Sequence, residues 1–135
     1  MQFGVEHLGL PARNPAALKD WYVAVLGGRV VFENGKIPPM FLVQLPGGGM
    51  IEIYAAESSI PETSNNKLSG WRHVALRVSS IEAAKAELEK RGVKFTCEIG
   101  PAAGGGRALF FADAEENLLH LVERPAAEAK ALSTR

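Results

Sequence analysis

A single cysteine, Cys97, in a chain of 135 residues excludes an intramolecular disulfide framework and any Cys-x-x-Cys metal or redox motif. A metal site in this chain would have to be made of histidine and carboxylate. Charge of one sign is also missing: 15 basic and 15 acidic side chains give a formal net charge of +0, which argues against nucleic acid or an anionic membrane surface as a partner. No apolar run approaches the roughly 18 residues needed to span a bilayer. No basic stretch followed by an apolar run opens the chain, so a secretory leader is not expected. There is no Gly-x-Ser-x-Gly or other nucleophile motif. The glycine runs at 47–49 and 104–106 precede no helix, and read as turns rather than phosphate loops. The expectation is a soluble, reduced, cytoplasmic protein.

Apolar residues make up 47% of the chain, enough for one compact domain or two small fused modules. Four strand-like stretches each set a ligand-capable side chain between aliphatic neighbours. They are Val5-Glu6-His7-Leu8-Gly9-Leu10, Met50-Ile51-Glu52-Ile53-Tyr54, Trp71-Arg72-His73-Val74-Ala75-Leu76-Arg77-Val78 and Leu118-Leu119-His120-Leu121-Val122. Strand side chains alternate between two faces. If the aliphatic positions face a covering helix, then His7, Glu52, His73 and His120 all face away from it and can meet on one concave sheet surface. Three imidazoles and a carboxylate are ligand types for Zn, Fe, Ni, Co or Mn. Burying Glu52 unpaired between isoleucines would be costly.

In chain order, residues 3–10 read as a strand. Asn14 is a helix N-cap with Pro15 at the first helical position. Leu18, Trp21, Tyr22, Val25 and Leu26 follow an amphipathic helical spacing, with Trp21 and Tyr22 in the core, and Gly27-Gly28 ends the helix. Strands are expected at 29–32, 41–45 and 50–54. Residues 57–69 are polar and read as a linker. The order then repeats. A strand at 71–78 is followed by a helix with Ser79 as N-cap and Glu82 completing a capping box. Ile81, Ala84, Leu88 and Arg91 form its stripe, and Gly92 ends it. A short strand is expected at 93–97, with Cys97 a small buried hydrophobe. A flexible loop at 100–106, a strand at 108–112, a turn at 113–117 and a strand at 118–123 complete the second half. Residues from 125 onward form an alanine-rich tail, a short helix or a frayed end.

The halves superpose by spacing. His7 to His73 is 66 residues, Gly27 to Gly92 is 65, and Glu52 to His120 is 68. Three landmarks at nearly one offset argue for a duplicated βαβββ unit. The expected modules are residues 1–56 and 70–124, joined by 57–69 and followed by a tail at 125–135.

These residues, in this order and spacing, resemble the vicinal oxygen chelate superfamily, which contains glyoxalase I, extradiol dioxygenases, methylmalonyl-CoA epimerase, and fosfomycin and bleomycin resistance proteins. The matching stretches are His7-Leu8-Gly9-Leu10, the helix with Trp21-Tyr22 running into Val25-Leu26-Gly27, Ile51-Glu52-Ile53, His73-Val74-Ala75-Leu76, and Asp113-Ala114-Glu115-Glu116-Asn117-Leu118-Leu119-His120-Leu121. The resemblance spans residues 3 to about 123. It implies an α+β fold of two tandem βαβββ modules forming a curved, cup-shaped mixed sheet with helices on the outer face. It places one divalent ion in the cup, held by His7, Glu52, His73 and His120. Many members carry Glu where this chain has His120, and glyoxalase I has Glu at both last-strand positions. Glu52 is therefore the one carboxylate of the implied set. His120 is either a ligand or a substrate-facing residue beside the ligands.

The activity implied by the resemblance is that of a metal-dependent glyoxalase-like isomerase, epimerase or lyase. It would act on a substrate with vicinal oxygens through a metal-stabilised enolate, with Glu52 as general base. An Fe(II) extradiol-type dioxygenase and a metal-free binding protein similar to bleomycin resistance proteins are the alternatives. Tyr54 and Trp71 share parity with the ligands, and either line the cup or cap its rim. Arg77 shares it too, and either meets an anionic substrate or ends its strand in solvent. The family often dimerises, and a homodimer is expected.

Overall fold

The computed structural model describes residues 1–58 and 63–125. It contains two helices and two open, four-stranded mixed sheets, in the order expected of two tandem βαβββ modules. By compactness the chain divides into one unit of Met1–Glu62 with Asp113–Glu115, and another of Thr63–Ala112 with Glu116–Arg135.

In the first unit, β1 (His7–Ala12), β2 (Arg29–Glu33), β3 (Phe41–Gln44) and β4 (Met50–Ala55) form a sheet of order β1-β4-β3-β2. β1 runs parallel to β4, and the other pairs are antiparallel. The crossover between β1 and the rest is α1 (Pro15–Leu26). Asn14 caps it by accepting from the Ala17 N–H at 3.1 Å, and Gly27 closes it in the left-handed region at φ 71°. The alternation of β3 and β4 has its physical cause here. Phe41, Val43, Ile51 and Ile53 are buried with Leu18 and Tyr22 of α1, so Leu42 and Glu52 lie on the other face of the sheet.

The second unit repeats the plan. Here β5 (His73–Arg77), β6 (Gly100–Pro101), β7 (Arg107–Ala112) and β8 (Leu118–Glu123) form a sheet of order β5-β8-β7-β6. β5 and β8 are parallel. Helix α2 (Ile81–Lys90) packs on β7 and β8, burying Ile81 and Leu88; Leu109, Phe111, Leu119 and Leu121 are buried on the strands.

Several expectations are corrected. The first strand starts at His7, not at residue 3: Phe3 is 91% exposed, and its aromatic side chain finds no covering element. The cap of α2 is Ser80 rather than Ser79, its hydroxyl accepting from the Ala83 N–H at 3.2 Å. Glu82 therefore closes no capping box, and instead pairs with Arg107. Residues 93–97 form no strand. Val93 is buried and the Phe95 ring packs against Phe111 at 5.5 Å, so their alternation reports burial of side chains without ladder pairing. The strand at this edge is β6, within the stretch expected to be loop. Its pairing is confined to Gly100 and Pro101 opposite Ala108 and Arg107, and proline offers no N–H to extend an edge. Cys97 is exposed, its thiol donating to the Phe110 carbonyl at 3.2 Å. The tail expected from residue 125 lies outside the described residues beyond Pro125. Trp21 is half-buried against the core and Tyr22 is fully buried in it. Among the described residues, no helix is long and apolar enough to cross a membrane.

Candidate metal centre

In each unit the first and last strands are parallel neighbours, and each presents one ligand-capable side chain on the face opposite the helix. In the first sheet His7 stands opposite Met50, and Glu52 stands opposite Gly9. In the second, His73 stands opposite Leu118, and His120 stands opposite Ala75. The histidine of the first strand is thus offset by two residues from its partner in both sheets. The residue facing that partner is small in both sheets, Gly9 in the first and Ala75 in the second.

The first pair is His7 and Glu52, with Nε2 and Oε2 3.7 Å apart. That is too long for a hydrogen bond. Two donors each about 2.1 Å from one ion lie roughly 3.0 to 3.6 Å apart, a little closer than these two atoms stand. His7 Nδ1 is hydrogen-bonded to the Glu6 carboxylate. Chiefly through that bond, with smaller help from the charges of Glu6 and Glu52, the imidazole is raised above its ordinary range, against a weaker opposing effect of burial. Tyr54, one alternation beyond Glu52, lays its ring over Gly9: a Cβ built there would stand 3.4 Å from the Tyr54 hydroxyl. Tyr54 therefore shares the His7–Glu52 face.

The second pair is His73 and His120, whose rings pack edge-on with centroids 4.9 Å apart. Phe110 completes the cluster, 5.7 Å from His73 and 4.6 Å from His120. His73 is exposed and its Nδ1 meets Asn66 Oδ1 at 2.7 Å. His120 is buried and its Nδ1 meets the Leu121 carbonyl at 3.1 Å. Burial, foremost, holds His120 below the ordinary imidazole range, aided by the neighbouring His73 and Arg124 and opposed by the backbone hydrogen bond. A neutral imidazole is the form that binds a metal.

The structure thus brings His7 together with Glu52, and His73 together with His120. Among the described residues no group of three or more His, Cys, Asp or Glu is gathered in a form able to hold a metal ion. As donors, the pairs are borderline imidazole and hard carboxylate, which suit Zn or a first-row transition ion. Trp71 precedes β5 and is 96% exposed. Arg77 ends β5 with its side chain exposed.

Three participants do not stand out from the sequence pattern. Glu6 and Asn66 hold His7 and His73 through Nδ1, and Phe110 stacks on His120. Phe110 had a readable signal: Leu109 and Phe111 are apolar, so the residue between them shares the His120 parity. Asn66 had none, since it lies seven residues from the ring it touches.

Residues 4–121 match the family model of the Glyoxalase/Bleomycin resistance protein/Dioxygenase superfamily. The chain belongs to that superfamily. It is similar to a glyoxalase family protein from Enterococcus faecalis, with 27% identity and a TM-score of 0.75 over 89% of this chain and 97% of that one. It is 24% identical over 123 residues to the uncharacterized protein YwkD of Bacillus subtilis, covering 89% of this chain and 96% of the relative. In fold it also matches the fosfomycin resistance protein FosX of Listeria monocytogenes, at 17% identity and a TM-score of 0.69 over 95% of both chains. A mutant of FosX has been solved with Mn(II) and 1S,2S-dihydroxypropylphosphonic acid.

Proposed function

We propose that this protein is a metal-dependent, glyoxalase-like enzyme that moves a proton on a small substrate bearing neighbouring oxygens. In this reading His7, Glu52, His73 and His120 hold one divalent ion, Zn, Ni, Fe, Co or Mn. The two pairs are contributed by one chain or by two copies in a homodimer. The observation that carries the reading is the equal offset of the two pairs, His7 with Glu52 and His73 with His120, each on the helix-free face of its sheet.

The ion, when bound, supplies Lewis-acid polarisation of the chelated substrate oxygens. The remaining chemistry belongs to the chain. Glu52 accepts the proton from the carbon next to the substrate carbonyl, and the electron pair of that C–H bond moves toward the carbonyl oxygen. The proton on Glu52 exchanges with solvent before it returns: return to the neighbouring carbon gives isomerisation, and return to the original carbon from the other face gives epimerisation. Tyr54, over Gly9 on the Glu52 face, bounds the space for the substrate beside the carboxylate. Trp71 and Arg77 are assigned to the substrate-facing rim, Arg77 as the cation for an anionic substrate group.

The test is proton exchange. Metal-loaded protein is incubated in D2O with a panel of α-hydroxy ketones, α-hydroxy acids and hemithioacetals, and deuterium incorporation is monitored by proton NMR. Exchange at the carbon next to the carbonyl supports the reading. Oxygen consumption with a catechol and Fe(II), without exchange, would replace it with a dioxygenase.

A further inference from the structure

Each of the three histidines turns Nδ1 toward an oxygen. For His7 it is the Glu6 carboxylate. For His73 it is the amide oxygen of Asn66, at 2.7 Å. For His120 it is the backbone carbonyl of Leu121, at 3.1 Å. An ionised carboxylate, an amide oxygen and a peptide carbonyl all accept and cannot donate. A hydrogen bond at these positions therefore requires the proton to be on Nδ1, which in a neutral ring leaves the lone pair on Nε2. At His7 the lone pair is not consumed by Glu52: its Oε2 is 3.7 Å from Nε2, beyond hydrogen-bond range, and a carboxylate has no proton to give.

We infer that Glu6 and Asn66 are positioning residues which, together with the Leu121 carbonyl, set all three imidazoles in one tautomer, with Nδ1 protonated and Nε2 as the coordinating atom. The inference rests on the proposed metal centre and deepens it by naming what prepares the ligands. Histidine ligands commonly depend on such an oxygen at the far ring nitrogen, which fixes the ring and raises its basicity. Here the three acceptors have separate origins. Glu6 is the residue immediately before β1. Asn66 is carried on a turn in which Asn65 accepts from Lys67 N–H through its side chain and from Leu68 N–H through its backbone, at 3.0 and 3.4 Å. Leu121 is the residue after His120 on β8 itself. The carboxylate is charged and the other two acceptors are neutral, so the hydrogen bond that holds the His7 ring is the strongest of the three.

The experiment uses the full chain, uniformly labelled with nitrogen-15 and stripped of metal, at a pH high enough that the raised His7 ring is also neutral. Two-bond proton–nitrogen correlation spectra distinguish the Nδ1–H from the Nε2–H ring. Three Nδ1–H rings are expected. In Glu6→Ala the His7 ring alone should move toward Nε2–H, the form imidazole favours in water; in Asn66→Ala the His73 ring alone should do so. Asn66→Asp, which keeps an acceptor, should retain Nδ1–H at His73. Zn2+ titration should find binding roughly 10- to 100-fold weaker in Glu6→Ala than in the unsubstituted protein. An Nε2–H ring at His7 or His73 in the unsubstituted protein, or spectra unmoved by either alanine, would overturn the inference whatever the metal affinity. Nδ1–H rings that respond to the variants in a protein taking up no Zn2+ would support the tautomer assignment and contradict the metal centre.

Discussion

Tyr22 of α1 donates its hydroxyl hydrogen bond to Asp113 Oδ2 at 2.8 Å, 91 residues further along the chain. Both residues are buried. The neighbouring Glu115 accepts from the Arg13 and Asn14 backbone N–H groups at 2.7 and 2.9 Å, at the start of the same helix. Segment Asp113–Glu115 is thereby part of the first compact unit, although the chain around it builds the second. Burial, first, and the Asp113 carboxylate push the Tyr22 phenol far up, so it remains a donor across the accessible pH range.

Tyr22→Phe removes this donor while keeping the ring that fills the core. A hydrogen bond to a buried carboxylate is worth about 1.5 to 3 kcal/mol, and the variant should be destabilised by that amount. Urea unfolding checks it. A variant within about 0.5 kcal/mol of the parent would show that Asp113 is satisfied without the phenol.

Acid should weaken the second unit through a cluster at the N-terminus of α2. Arg107 forms a two-pronged contact with Glu82, at 2.6 and 2.9 Å, and also reaches Glu123. Glu123 in turn accepts from the Ile81 N–H at 2.9 Å. The Arg107 hydrogen bonds, first, and its own backbone N–H hold Glu82 near pKa 2, well below the ordinary 4.5. Glu123 is also lowered, by the Ile81 N–H and then by Arg107. Acids lowered in the folded state add stability that is fully present above the ordinary carboxylate range and is lost as pH falls through the folded value. The melting temperature should therefore drop between pH 4.5 and about 2. Arg107→Met should melt lower at neutral pH and show a shallower drop over that window. An equally steep drop in the variant would remove Arg107 as its cause.

Gly106 has a stricter requirement than the other turn glycines. Its φ is 93°, and a Cβ would lie 2.0 Å from the Glu123 carbonyl oxygen, a backbone atom that cannot move aside without disturbing β8. Gly106→Ala should cost at least about 2 kcal/mol. Thermal melting beside Gly48→Ala is the comparison: Gly48 also has positive φ, at 103°, but open space around it. Equal losses at both positions would leave φ strain as the whole effect.

Glu52→Gln keeps size and shape and removes the base. If Glu52 carries the proton, turnover should fall by about 10²- to 10⁴-fold, while the three imidazoles still retain an ion. Deuterium exchange into substrate, measured beside metal content, separates the two effects. Full exchange with metal retained would take Glu52 out of the proton-transfer role.

Much of this architecture is written in short-range pattern. The alternation of Ile51, Glu52 and Ile53, and of Leu119, His120 and Leu121, survives because each sheet buries one face against one helix, so parity translates directly into facing. The caps at Asn14 and Gly27 are equally local. The misses occur where tertiary partners decide. Val93 and Phe95 alternate like a strand, yet Phe95 spends its ring on Phe111. Glu82 fits a capping box on paper, but the geometry of Arg107 claims it. Asn66 and Asp113 act on His73 and Tyr22 across distances in sequence that no periodicity encodes. The ligand candidates were legible because duplication displays them twice, at one register, and the residues that orient them were not because each reaches its ring by a different route.

Metal content tests the proposed four-residue site. The untagged chain and a His7→Ala/His73→Ala double variant are each dialysed against Zn, Ni, Fe or Mn, and the retained metal is measured by mass spectrometry. A site built from the His7–Glu52 and His73–His120 pairs predicts about one ion per chain in the parent and none in the double variant. No ion retained by the parent with any of the four metals, or equal retention by the two proteins, would contradict it.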